Sequence, residues 1–207
     1  MSISYPLSLP TTTSWLKVNF NANNIIGVTK SPFTGQQQVY QWPGENWSVD
    51  VSLPPMDQAT AEAWVNFLVS LRGQLGTFYL GDVLKTTPQG VATGAPVVHG
   101  AQGSMTNSLA TKGWTHNITG ILKAGDFIQI GTTTSQRLYK VLTDANSDNS
   151  GYATLDIFPS LREGVSDNES IVITNTAGTF RLIANTRTWN VDNARIYGID
   201  FKAEEAY

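Results

Sequence analysis

Residues 47–82 constrain this chain most. Trp47, Val49, Val51 and Leu53 alternate with Ser48, Asp50 and Ser52, the period-two pattern of a strand with one buried and one wet face. Pro54 and Pro55 cannot extend a β-ladder and stop it. Asp57 stands where its carboxylate can accept from the free N–H groups of a first helical turn. Trp64, Phe67, Leu68 and Leu71 follow at i, i+3, i+4 and i+7 and make one apolar stripe. Gly73 ends the helix, because glycine adopts the left-handed conformation cheaply. The spacing predicts one substantial helix over about 57–72, its stripe packed on the inner face of the Trp47 strand, with a second strand at Thr77–Leu80.

The same alternation returns near the end of the chain. Tyr197, Ile199, Phe201 and Ala203 face one way and Gly198, Asp200, Lys202 and Glu204 the other. The simplest partner for that strand is the Trp47 strand. Upstream, Trp15–Phe20 reads as a strand, and Asn21–Asn24, Ser31–Gly35 and Pro43–Gly44 read as turns. Between the two patterned ends the texture changes. Thr86–Gly120 is rich in Gly, Thr, Ser, Asn and Ala, with little periodicity. Short strands are then expected at Phe127–Ile130, Leu138–Leu142, Ala153–Phe158, Ile171–Thr174 and Phe180–Ile183, separated by turn clusters such as Asp144–Gly151. The expectation is a mainly β protein. A small β-sandwich or barrel domain with one α-helix, residues 1–84 plus 185–207, carries an inserted antiparallel β-barrel of the oligonucleotide/oligosaccharide-binding (OB) type, residues 85–184.

Composition removes several function classes. The chain has 207 residues and no Cys, so disulfides, thiolate metal sites and a Cys nucleophile are excluded. Charged residues are only 14% and the net charge is −3, against about 25% charged in an average domain. With no basic tract, electrostatic nucleic-acid binding is not expected. Thr, Ser, Asn and Gln supply the polarity, which suits packing against copies or partners. The first ten residues lack the basic start and apolar core of a secretory leader, and no window of 18 apolar residues is present to insert in a membrane.

Chemistry-bearing residues are sparse. Asp144, Asn146 and Asp148 have calcium-loop spacing, but Asn149 and Leu155 stand where an EF-hand needs Gly and Glu, so a polar hairpin loop is expected and no metal. His99 and His116 are the only histidines and have no ligand-spaced partner. Ser104 does not sit in a nucleophile elbow. Glu45, Asp126, Asp156 and Glu163 are candidate acids with nothing in the sequence to pair them across a cleft. No catalytic residue and no cofactor is expected. Among the tryptophans, periodicity puts Trp47 and Trp64 in a core. Trp114 lies in the polar run Lys112–Asn117, so Trp114 and His116 are the candidate contacts for a glycan or partner.

The order strand, Pro stop, helix, Gly, aromatic strand and closing strand resembles the distal tail proteins and tail tip M proteins of long-tailed bacteriophages. The resemblance rests on Trp47–Leu53, the Trp64/Phe67/Leu68/Leu71 stripe, Gly73, Phe78–Leu80 and Tyr197–Glu205. Leu122–Gly131, Arg137–Val141, Ala153–Ile157, Pro159–Arg162 and Phe180–Leu182 are similar to the inserted β-domain of longer members, in some of which it is suspected of binding carbohydrate. The resemblance implies a homo-oligomer, a hexameric ring that joins the tail tube protein to the tail hub protein at the distal end of the virion, assembled in the bacterial host cytoplasm. The alternative is a carbohydrate-binding module or lectin without catalysis; a glycan-degrading enzyme would need the paired acids.

Overall fold

The structure is a computed structural model that describes residues 3–11, 14–83, 85–193 and 195–206. Met1, Ser2, Thr12, Thr13, the expected boundary residue Leu84, Ala194 and Tyr207 lie outside the described residues. The chain is mainly β. Its strands are β1 (Lys17–Lys30), β2 (Gln37–Ser52), β3 (Thr77–Leu80), β4 (Gly94–Val98), β5 (Ser108–Trp114), β6 (Phe127–Ile130), β7 (Arg137–Val141), β8 (Ala153–Phe158), β9 (Ile171–Val172), β10 (Gly178–Leu182), β11 (Trp189–Val191) and β12 (Tyr197–Glu205). One α-helix, α1 (Gln58–Ser70), is present among the described residues. It is not long and apolar enough to cross a membrane.

The first sheet has the order β1-β2-β12-β10-β3, with β11 on the early part of β12. Phe201 pairs with Val51 and Ala203 with Val49, so the two alternating strands share one buried face, as their patterns predict. Asp57 caps α1 by accepting from the Thr60 N–H at 3.0 Å. Trp64, Phe67, Leu68 and Leu71 are all buried. Trp64 lies 6.2 Å from the Phe201 ring and Phe67 makes an edge contact with Phe78 at 5.5 Å. Gly73, at φ +74, takes the chain out of the helix toward β3.

The second sheet has the order β4-β5-β8-β7-β6-β9, with every neighbouring pair antiparallel. The bridge between Val97 and Ser170 brings its first and last strands together, so the sheet nearly closes into a barrel. Two core clusters result: one beneath the first sheet and α1, the other inside the barrel.

Three expectations need correction. The barrel has six strands, since β4 and β5 emerge from the stretch read as irregular. Their alternation is hidden by Thr111, a buried residue whose hydroxyl donates to the Ala153 carbonyl at 2.8 Å and accepts from the Trp114 indole N–H at 2.8 Å. Secondly, Phe180–Ile183 does not join the barrel. β10 lies between β12 and β3 in the first sheet, because Phe180 pairs across to Phe78 and fills that core. Thirdly, Asn21–Asn24 and Pro43–Gly44 are not turns. Both lie inside one long hairpin, where Asn23 faces Asn46 and the next pair is Ile25 with Trp42. This bulge takes in Pro43, which has no N–H to offer, and Gly44, whose missing Cβ leaves room for Ile25. The turn at Ser31–Gly35 is present, closed by the Ser31 N–H to Gln36 carbonyl bond at 2.8 Å with Gly35 at φ +71.

Candidate functional site

The hairpin of β1 and β2 is far longer than the body it starts from. From Glu45 to Val51 alternate residues of β2 are buried, whereas from Gln37 to Pro43 every residue is exposed. The outer half, residues 25–42, is an arm that projects beyond the core. At about 3.3 Å per residue it reaches roughly 25 Å from the bulge to its tip.

Exposed arms normally carry charge. This one does not: Lys30 is the only charged residue between Asn21 and Gly44. Ile25, Ile26, Val28, Phe33, Val39, Tyr40 and Trp42 are between 46% and 95% exposed, Phe33 at the tip most of all. Both faces are apolar. Ile25 pairs with Trp42 and Gly27 with Tyr40 on one face; Ile26 with Gln41 and Val28 with Val39 occupy the other. Trp42 lies across Gly27, where a Cβ would fall 2.6 Å from its ring, and meets Tyr40 edge-on at 4.8 Å. The aromatic face is therefore held in place by the arm's own packing.

The edges of the first sheet are unequal. Beside β3, Leu7 donates to the Thr77 carbonyl at 2.8 Å and accepts from the Tyr79 N–H at 3.0 Å, so that edge is covered. β1 forms the other edge and has no strand beyond it among the described residues. An open, apolar strand edge is a template for pairing with another chain. An isolated two-stranded hairpin is marginal in water.

At the root of the arm the two sheets lock together. Buried Glu45 accepts from the Gln41 side-chain amide at 2.7 Å and from the Ser160 N–H at 2.9 Å. Glu205, at the end of β12, faces Arg162 at 3.5 Å. Burial pushes its carboxyl up from the ordinary value, against the pull of Arg162, the Trp47 N–H and Arg137. Tyr139 beside it is pushed up to about 12, mainly by burial. A hollow of about 240 Å³ remains between arm and barrel, lined by Gln41, Trp42, Glu45, Met105 and Asn107 among others.

The candidate contact residues part company. Trp114 is not in a loop. It ends β5 with 2% of its surface exposed, and offers no face to a glycan. The sequence signal was misleading because Gly113, at φ +88, interrupts the alternation just before it. His116 is exposed on the turn that follows and lies beside Gly151. His99 stacks on Tyr152 with ring centroids 4.7 Å apart, so both histidines reach residues 151–152.

The candidate acids are dispersed. Buried Asp126 accepts from the N–H groups of Gln89, Gly90 and Lys123 at 2.7 to 3.1 Å, which ties the chain ahead of β4 to the barrel. Asp156 is exposed on β8, and Glu163 lies 3.4 Å from Arg137. In the loop with calcium-like spacing, Asp144 holds Lys123 and the Ala124 N–H, Asn146 accepts from Gly120, and Asp148 accepts from Ser150 and Tyr152. Those bonds hold the Asp144 and Asp148 carboxyls below the usual range. Among the described residues no three His, Asp or Glu side chains are grouped to hold a metal ion.

No protein-family model matches the chain, and no curated protein matches it.

Proposed function

We propose that the chain is a structural component of a bacteriophage tail tip, a distal tail protein whose copies form a ring between the tail tube and the hub that carries the host-recognition apparatus. The observation that carries this reading is the uncharged arm, apolar on both faces, that projects from a sheet with one open and one covered edge. Fully covered, its seven large side chains would contribute on the order of 800 Å², one partner's share of a standard protein interface. Exposed apolar area on that scale marks a contact surface. A sheet edged by such an arm has different surfaces at its two ends, which is what a head-to-tail ring requires.

The ring-forming part is the first sheet with α1, and the barrel lies outside it. In this reading the protein acts in the virion at the distal end of the tail, needs no cofactor and catalyses no reaction. Burial of Trp114 removes one of the tryptophans that the lectin alternative could use.

The test is on intact particles that contain the chain. Antibody raised against the barrel, imaged by electron microscopy, should label the distal tip of the tail. Labelling at the capsid, or of no tail at all, overturns the assignment.

A further inference from the structure

The arm and a second group of exposed apolar residues on the first sheet lie at opposite ends of the same strand. β2 begins at the arm, at Gln37, and ends at Ser52. Beside Ser52 opens a hollow of about 310 Å³, lined by Val51, Ile183, Thr188, Asp200 and Phe201 among others. Asp50, Arg187 and Lys202 also line it. Ile183 is exposed on its wall, and the chain that follows Thr188 exposes Trp189, Val191 and Ile196, each between 41% and 48%. Trp189 and Val191 belong to β11, which pairs with β12 on one side only and has an open edge among the described residues.

From these positions we infer that the arm of one copy docks on the β11 rim of a second copy, with Phe33 entering the hollow. Self-docking is excluded by length. Fifteen residue steps of β2 separate Gln37 from Ser52, roughly 50 Å of strand, and the arm points away from its own hollow. The tip offers one large unpartnered ring, and the hollow has room for one. The faces beside it are aliphatic on the arm and aliphatic or indole on the rim. Lys30 is the arm's only charge; at the hollow the exposed Asp200 carboxylate stands with Arg187 and the Lys202–Asp50 pair, and neither Lys30 nor Asp200 forms an ion pair among the described residues. An open edge on β1 and an open edge on β11 can also extend one sheet into the next. Because the two surfaces differ, the contact is heterologous and repeats from copy to copy until it closes.

The inference deepens the assembly reading above and rests on its self-association half only. The chain has no Cys, so single cysteines report cleanly. Full-length Thr34→Cys at the arm tip and Thr188→Cys at the rim are mixed at high concentration and treated with a short bis-maleimide. The expected result is a covalent dimer in the mixture and none with either variant alone. Lys30→Glu in the tip variant should remove that product, and Asp200→Lys in the rim variant should restore it. Cross-linking of Thr34→Cys with itself would mean arm-to-arm pairing and overturn the inference, as would no product in the mixture or a product indifferent to the charge swap. Failure here with tail-tip labelling intact removes only this contact. Cross-linking as expected without tail labelling removes the tail assignment and leaves the contact standing.

Discussion

The indole N–H of Trp47 donates to the backbone carbonyl of Leu138 at 3.0 Å, joining residues 91 apart in sequence and belonging to different sheets. Trp47 sits on β2 at the root of the arm, Leu138 on β7 of the barrel. Phe127 and Leu138 belong to the core beneath the first sheet; Phe127 packs tilted against Trp47 at 5.9 Å and Phe158 meets it edge-on at 5.0 Å. The barrel therefore braces the base of the arm.

Trp47→Phe keeps an aromatic side chain but removes the donor and part of the buried ring, leaving the Leu138 carbonyl without this partner. The expected loss is about 1–3 kcal/mol, measured by urea unfolding. An unchanged midpoint would mean that the bond contributes nothing to the brace.

Phe67→Ala empties a site between Trp64 and Phe78. Truncation of a buried Phe costs about 3–5 kcal/mol, read as a fall in denaturant midpoint with the helical circular-dichroism signal retained at low denaturant. A midpoint equal to that of the parent protein would show that α1 does not rest on this core.

Glu205 gives a pH signature. Its folded carboxyl is raised above the ordinary value of 4.5 by burial, so the fold holds this proton more tightly than the unfolded chain does. Its contribution is full below 4.5 and is lost as pH rises through the raised value. Melting temperature is measured against pH for the parent and for Glu205→Gln. The parent should lose stability relative to the variant as pH rises out of the acid range; exposed aspartates with lowered values, such as Asp50 and Asp167, cancel in the difference. A flat difference curve, or one that slopes the other way, would contradict the assignment.

Leu80 and Gly178 are cross-strand partners, so the barrel leaves and rejoins the first sheet at one place. Replacing residues 82–176 with a short Gly/Ser hairpin turn should leave a cooperatively melting protein with α1 intact, less stable for want of Phe127 and Leu138. Cutting through residue 184 instead removes β10 from the middle of the sheet and should abolish the cooperative melt. Equal loss of folding in both deletions would mean that the two sheets form one unit.

The body of the first sheet was legible because Trp47–Leu53, the Trp64–Leu71 stripe and Tyr197–Ala203 each hold one period against one core. The barrel was legible in part. β6, β7 and β8 carry clear apolar strands, while β4 and β5 hide theirs behind Pro96, Thr111 and Gly113, residues that work by hydrogen bonding and backbone conformation. β10 was assigned to the wrong sheet because pairing partners of an apolar strand are set by tertiary contacts that no period records. The arm was missed for a related reason. Asn21–Asn24 and Pro43–Gly44 are strong turn signals, and a bulge turns them into strand. One feature did mark the segment as unusual, the near absence of charge between residues 21 and 44.

The arm is the proposed surface of self-assembly. Single-molecule mass measurement across a concentration series, paired with negative-stain imaging, compares the parent chain with Val28→Glu/Val39→Glu, which puts two like charges directly opposite each other on one face. The parent should pass from a 22.5 kDa monomer to closed rings of about six copies, while the variant stays monomeric with the parent's circular-dichroism spectrum. A variant that forms the same rings, or a parent that remains a monomer at the highest concentration reached, would contradict the central claim.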